Sequence, residues 1–208
     1  TKMHLPIVDI SPLRSNDADG MQQAASEIKS ACVEHGFFYL SGHGISEELQ
    51  QRLVDLSQEF FRLPLSEKMK IRMELGGKAW RGYFPVGAEL TSGEPDRKEG
   101  IYFGTELDKS HSMVKSGTPL HGRNLYPNIP ADYANAIEEY MVATVELGHF
   151  VMRGIALSLE LPANYFESTI TNNPFILFRI FNYPKQNASQ KSWGVGEHTD
   201  YGLLTILK

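Results

Sequence analysis

The chain has 208 residues, 41% of them hydrophobic and 22% charged, with a formal net charge of −5. These are the proportions of a globular protein long enough to bury a core. They point away from a nucleic-acid partner, since no Lys/Arg cluster interrupts the acidic balance, and from a membrane span, since no apolar run nears the roughly 20 residues one needs.

In chain order, Leu5 to Ile10 reads as a short strand closed by Ser11-Pro12. Residues 17–35 read as a helix, because Met21, Ala24, Ala25, Ile28 and Cys32 recur at three- and four-residue intervals and Gly36 is placed to stop it. Cys32, the one cysteine, reads as a small buried hydrophobe and excludes an internal disulfide. Phe37 to Leu40 is an expected buried strand, ended by Gly42-His43-Gly44. Ser46 stands as the N-cap of a helix that lines up Leu49, Leu53, Leu56 and Phe60 and ends near Pro64. Ser66 opens another short helix through Arg72.

Residues 76–130 are loop-rich, with one short strand from Gly100 to Gly104. The longest helix is expected over 131–160, with Tyr133, Ile137, Met141, Val145, Met152, Ile155 and Leu159 as its apolar stripe. Phe175 to Tyr183 reads as a strand and 184–192 as a polar loop. Helices first and strands last predict an α+β protein.

His198-Thr199-Asp200, followed by the apolar run Tyr201 to Leu207, is the motif that carries chemistry. A His and an Asp two apart at the start of a strand point to the same side. An imidazole nitrogen and a carboxylate oxygen can then grip one metal ion, as two thirds of the two-His-one-carboxylate triad of non-haem iron. A Gly-rich approach, Gly194 and Gly196, precedes the pair.

Several further stretches resemble the isopenicillin N synthase-like group of iron- and 2-oxoglutarate-dependent oxygenases. Pro6-Ile7-Val8-Asp9-Ile10 resembles its opening strand, and His35-Gly36-Phe37-Phe38-Tyr39-Leu40-Ser41-Gly42-His43-Gly44-Ile45 its most recognisable N-terminal stretch. Phe60 to Lys68, Arg81-Gly82-Tyr83, Asp96 to Gly100 and Leu125-Tyr126-Pro127 follow in the group's order. His35 and His43 flank a strand and read as turn or core residues, not ligands.

The resemblance implies a double-stranded β-helix, or jelly roll, with N-terminal helices packed on the sheet. Residues 1–130 would form the N-terminal region, and 131–208 the long helix with the first part of the jelly roll. It assigns His198 and Asp200 to Fe(II), and Tyr183, just ahead of Pro184, to the 2-oxoglutarate carboxylate. The group's second His and its Arg-x-Ser clamp would fall beyond Lys208, so the C-terminal part of the jelly roll is expected to be missing and the chain to be a piece of a longer protein. The group often carries Asn two residues before the Tyr. Here that place is Phe181, and Asn182 lies on the other side of the strand.

The implied reaction uses dioxygen and 2-oxoglutarate, releases succinate and CO2, and oxidises a C–H bond of a small molecule. No protein side chain acts as a catalytic nucleophile in it. Arg81, Tyr83, Tyr102 and Phe103 are candidates to touch the substrate, and Arg179 reads as an ion-pair residue of the sheet. Two other readings stand: an iron oxidase that does not use 2-oxoglutarate, and a non-catalytic jelly-roll binding protein. The expected protein is a cytoplasmic monomer, the first residues lacking the regions of a signal peptide.

Overall fold

The computed structural model describes residues 4–91, 93–185, 194–200 and 202–208. Most of the expected 184–192 loop, and Tyr201, lie outside the described residues. The chain divides into two compact units.

The first unit comprises Thr1–Glu47, Val142–Pro174 and Ile206–Lys208. Its strands β1 (Ile7–Asp9) and β2 (Tyr39–Ser41) pair in parallel, Val8 opposite Leu40. Ser11-Pro12 does not end the order as expected. It opens a short helix, α1 (Ser11–Ser15), in whose first turn proline costs no hydrogen bond. Helix α2 (Ala18–Glu34) falls within a residue of its expected bounds. Gly36 follows it with φ +72°, a left-handed value that favours glycine.

Val8, Ile10, Leu13, Ala24 and Ile28 pack with Leu147 and Val151 of the long helix α6 (Tyr133–Ser158) into one core. Each of the Val, Ile and Leu side chains contributes about 1.5–3 kcal/mol by leaving water. Two expectations fail here. Cys32 is exposed, because the core-facing place on α2 falls to Ala31. The run Phe37 to Leu40 is buried only on alternate residues: Phe38 and Leu40 pack on the core, while Phe37 and Tyr39 face away. A continuous apolar run carries no alternation from which that split can be read.

The second unit comprises Glu48–Met141 and Phe175–Thr205. It holds most of α3 (Glu47–Arg62), α4 (Leu65–Lys68), 3-10 turns at Met69–Ile71 and Met73–Ala79, and an antiparallel sheet. The sheet order is β3 (Gly82–Phe84), β6 (Glu99–Phe103), β7 (Phe178–Asn182), with Tyr83 opposite Ile101 and Ile101 opposite Ile180. A small hairpin, β4 (Leu90–Thr91) with β5 (Glu94–Pro95), was not expected. Helices α5 (Ser112–Lys115) and α7 (Tyr165–Thr169, in the first unit) are also additions.

β6 is buried along its whole length. The Phe84 and Phe181 rings close over Gly100, where an added Cβ would lie 2.6–2.7 Å from both. Phe103 stacks on Tyr126 at 5.5 Å. Arg81, Tyr83 and Phe103, expected as substrate contacts, lie in this core instead, each at most 1% exposed. The expected strand after Asp200 does not form among the described residues: 202–208 make no ladder. A strand needs a neighbour for its backbone groups, and no described segment supplies one.

Candidate metal site

The last residues of β7 deliver the chain toward the His-x-Asp motif. Asn182 and Tyr183 take opposite sides there. The Asn182 amide donates to Glu99 Oε1 at 2.8 Å, inside the sheet. The Tyr183 ring is half exposed and stands against Phe181, 6.3 Å between centroids, as residues two apart on one face should. Gly194 returns beside that ring, where an added Cβ would lie 3.2 Å from Tyr183 Cδ1. Gly196 passes the β4–β5 hairpin just as closely, where a Cβ would lie 2.9 Å from Thr91 Cγ2. The two glycines are therefore needed for close packing.

His198 and Asp200 are brought together without a strand to align them. His198 Nε2 lies 3.3 Å from Asp200 Oδ1, and the side chains are 50% and 46% exposed. His198 Nδ1 lies 2.9 Å from the Gly196 carbonyl oxygen. A carbonyl can only accept, so Nδ1 donates to it, and Nε2 is the ring nitrogen turned to the carboxylate. With the Nε2 lone pair free, a cation between imidazole and carboxylate would join the two groups. Cis donors on an octahedral ion stand roughly 3.0 Å apart at about 2.1 Å per bond, close to the spacing found. One imidazole nitrogen and one carboxylate oxygen suit ferrous iron. No group of three or more His, Cys, Asp or Glu able to hold a metal occurs among the described residues.

Beside Gly196 lies a charged cluster that sequence reasoning missed. Lys98, buried, donates to Asp96 Oδ2 at 2.8 Å and pairs with Glu89 at 3.2 Å, with its ammonium 4.9 Å from the Phe181 ring centroid. Tyr102 donates to Glu89. The Arg179 guanidinium lies over the Tyr102 and Phe181 rings, at 5.7 and 5.5 Å.

Asp96 also accepts from the Thr91 hydroxyl at 2.8 Å and from the Gly196 amide. Burial pushes the Asp96 carboxyl up, but the bonds from Lys98 and Thr91 outweigh it and hold it below the usual range. Burial lowers Lys98, and Asp96 and Glu89 more than restore it. Tyr102 is pushed up by burial and by Glu89. The sequence signal for this cluster is faint: charged residues two apart, entering a buried strand.

Away from the pair, His43 accepts from the Ile45 amide at 3.1 Å and so serves a turn, as expected. Arg81 donates from Nη2 to the Leu120 carbonyl at 3.0 Å.

Residues 5–129 match the family model described as the N-terminal part of the non-haem dioxygenase in morphine synthesis. A probable iron/ascorbate oxidoreductase of Dictyostelium discoideum is 47% identical over 98% of this chain and 62% of its own length. A homoarginine-6-hydroxylase of Oryza sativa subsp. japonica is 38% identical over 98% of this chain and 65% of its own. Among solved structures, a full-length Neurospora crassa protein in complex with 2-oxoglutarate superposes with TM-score 0.78 at 25% identity, covering 95% of this chain and 61% of that one. This chain thus spans less than two thirds of each of these proteins.

The chain belongs to the iron- and 2-oxoglutarate-dependent oxygenases, as its motifs led one to expect. Members of that family are oxidoreductases that use Fe(II), 2-oxoglutarate and dioxygen. No helix among the described residues is long and apolar enough to cross a membrane.

Proposed function

We propose that the protein to which this chain belongs oxidises a C–H bond of a small organic molecule, with conversion of 2-oxoglutarate to succinate and CO2. The carrying observation is the His198–Asp200 pair, 3.3 Å apart with His198 Nδ1 engaged and Nε2 turned to the carboxylate. His198 Nε2 and Asp200 Oδ1 are the metal donors. Fe(II), when bound there, supplies the oxidising chemistry by reaction with dioxygen and 2-oxoglutarate. The chain's residues hold and orient. Tyr183, on the same side of β7 as the Phe181 ring and beside the Gly194 approach, offers its hydroxyl to a 2-oxoglutarate carboxylate. Its half-exposed position leaves that hydroxyl reachable. Lys98 and Arg179 both stand against the Phe181 ring.

In this reading residues 131–208 begin a jelly-roll core and 1–130 form the helical region packed on it, with the remaining strands, the second His and the 2-oxoglutarate clamp supplied elsewhere in the full-length protein. The rice relative's name makes a basic amino acid the first substrate to try. The test is anaerobic loading of the full-length protein with Fe(II), addition of 2-oxoglutarate and oxygen, and measurement of succinate with homoarginine and a panel of other amino acids. Stimulated succinate release is expected for at least one small molecule. Absence of any iron- and 2-oxoglutarate-dependent turnover, stimulated or basal, would count against the reading.

A further inference from the structure

The reading of His198 and Asp200 as the metal pair leaves open what holds the histidine in place. Its Nδ1 bond runs to a carbonyl only two residues back, and such a local bond orients the ring only if that carbonyl is itself fixed. Residues 196–200 lie in no helix or strand, so no ladder fixes it. The contact that does comes from a hundred residues earlier. Asp96 is 3% exposed, and its Oδ2 already takes Lys98 and Thr91. The same carboxylate accepts the Gly196 amide. Thr91, which donates to Asp96, also packs its methyl against the Gly196 α-carbon. Gly196 is thus gripped at its amide and at its α-carbon, and its carbonyl holds His198.

We propose that Asp96 is a positioning residue for the metal centre. Through the Gly196 amide it fixes the carbonyl that keeps the proton on His198 Nδ1 and the Nε2 lone pair facing the ion. The hairpin β4–β5 is, in this role, an outer support of the site. Lys98 keeps the Asp96 carboxylate charged and in place. Partners one bond removed from a metal-binding histidine change metal affinity by about 10–100-fold when removed, and Asp96, two bonds removed, should fall at the low end of that range. The inference rests on the metal reading of His198, and the test separates the two.

The test titrates the full-length protein with Co(II) without oxygen and follows both the visible spectrum and the hyperfine-shifted, exchangeable imidazole N–H proton that His198→Ala removes. Asp96→Ala and Asp96→Asn should weaken Co(II) about tenfold or more and broaden that proton signal by exchange with water. Glu94→Gln, on the exposed face of the same hairpin, should change neither.

Should the Asp96 variants fail to fold, Gly196→Ala tests the same relay without touching the carboxylate. Its Cβ meets Thr91 Cγ2, and affinity should fall. Adding Thr91→Ser removes that methyl, keeps the hydroxyl for Asp96, and should recover most of the loss. Folded Asp96 variants with wild-type Co(II) affinity and an unchanged proton signal would overturn the proposal. So would a Gly196→Ala protein that binds normally. If His198→Ala itself leaves Co(II) binding intact, the metal reading fails, and this inference with it.

Discussion

Lys68 Nζ lies 2.7 Å from Glu99 Oε2, with the two side chains 8% and 7% exposed. The same carboxylate accepts from the Tyr83 hydroxyl at 2.5 Å and from Asn182. It therefore ties α4, β3 and β7 to β6. Removing one partner of such a buried pair strands a charge. Lys68→Met should destabilise the protein by about 3–5 kcal/mol, read by urea unfolding. The double variant Lys68→Met/Glu99→Gln should recover part of that loss. Equal stability of Lys68→Met and wild type would show the pair to be energetically idle.

The pair also sets a pH dependence. Burial raises the Glu99 carboxyl, but the bonds from Lys68, Tyr83 and Asn182 outweigh it and hold it below its ordinary 4.5. The folded state then binds fewer protons than the unfolded one. The contribution is complete above about pH 4.5 and is lost as pH falls through the lower folded value. In Lys68→Met the sign should reverse: a buried carboxyl without its cation prefers the neutral form, so mild acid should stabilise that variant. Unfolding curves at pH 6 and pH 4 decide it.

His198→Ala and Asp200→Ala should abolish turnover in the full-length enzyme and leave its unfolding curve nearly unchanged, because both side chains are half exposed. Asp200→Glu should also be inactive, since one extra methylene moves the carboxylate further than a metal site tolerates. Wild-type activity in any of the three would remove these residues from the site.

Tyr183→Phe should raise the 2-oxoglutarate concentration needed for half-maximal rate about tenfold, the loss of roughly 1.5 kcal/mol from one hydrogen bond to a charged group. The maximal rate should change less. An unaltered requirement would make Tyr183 a packing residue against Phe181 and Gly194.

Gly100→Ala places a methyl where the Phe84 and Phe181 rings now meet over the central strand. It should cost about 1–3 kcal/mol of stability as an overpacked core. Phe181→Leu in the same chain should relieve part of it, and thermal unfolding of the single and double variants measures both.

Elements whose pattern is local were legible in the sequence. Helix α2 shows in the spacing of Met21 to Ile28, and β6 in an apolar run beside glycines. The closeness of His198 and Asp200 was legible in their spacing, although the two side chains meet through a loop, with no strand to align them. The charged cluster was not legible. Asp96, Lys98 and Glu89 stand in a stretch whose only readable feature was its loop-rich composition, and their burial depends on pairing with one another and with Gly196, about a hundred residues on. The same limit hid the substrate-side error. Arg81 and Tyr83 sit in a loop-rich stretch, and nothing near them in sequence says that Phe60, Glu99, Gly104 and Leu120 will close around them. Leu203 to Leu207 has strand composition but forms no ladder among the described residues, since a ladder takes two segments.

The bond from Asn182 to Glu99 spans 83 residues. At roughly 5–20 residues per second, a ribosome takes about 4–17 s to cover that distance. For that time β6 can pair with β3 but not with β7, so one edge of the future central strand faces the cell, with Gly100 and its neighbours bare. Glu99 sits at the head of that edge with Lys68 and Tyr83 already made, a charged group beside an otherwise apolar strand. The carboxylate that later locks the sheet should then serve first as a guard against wrong partners during synthesis. Nascent chains stalled near residue 160 should aggregate faster with Glu99→Gln than without it.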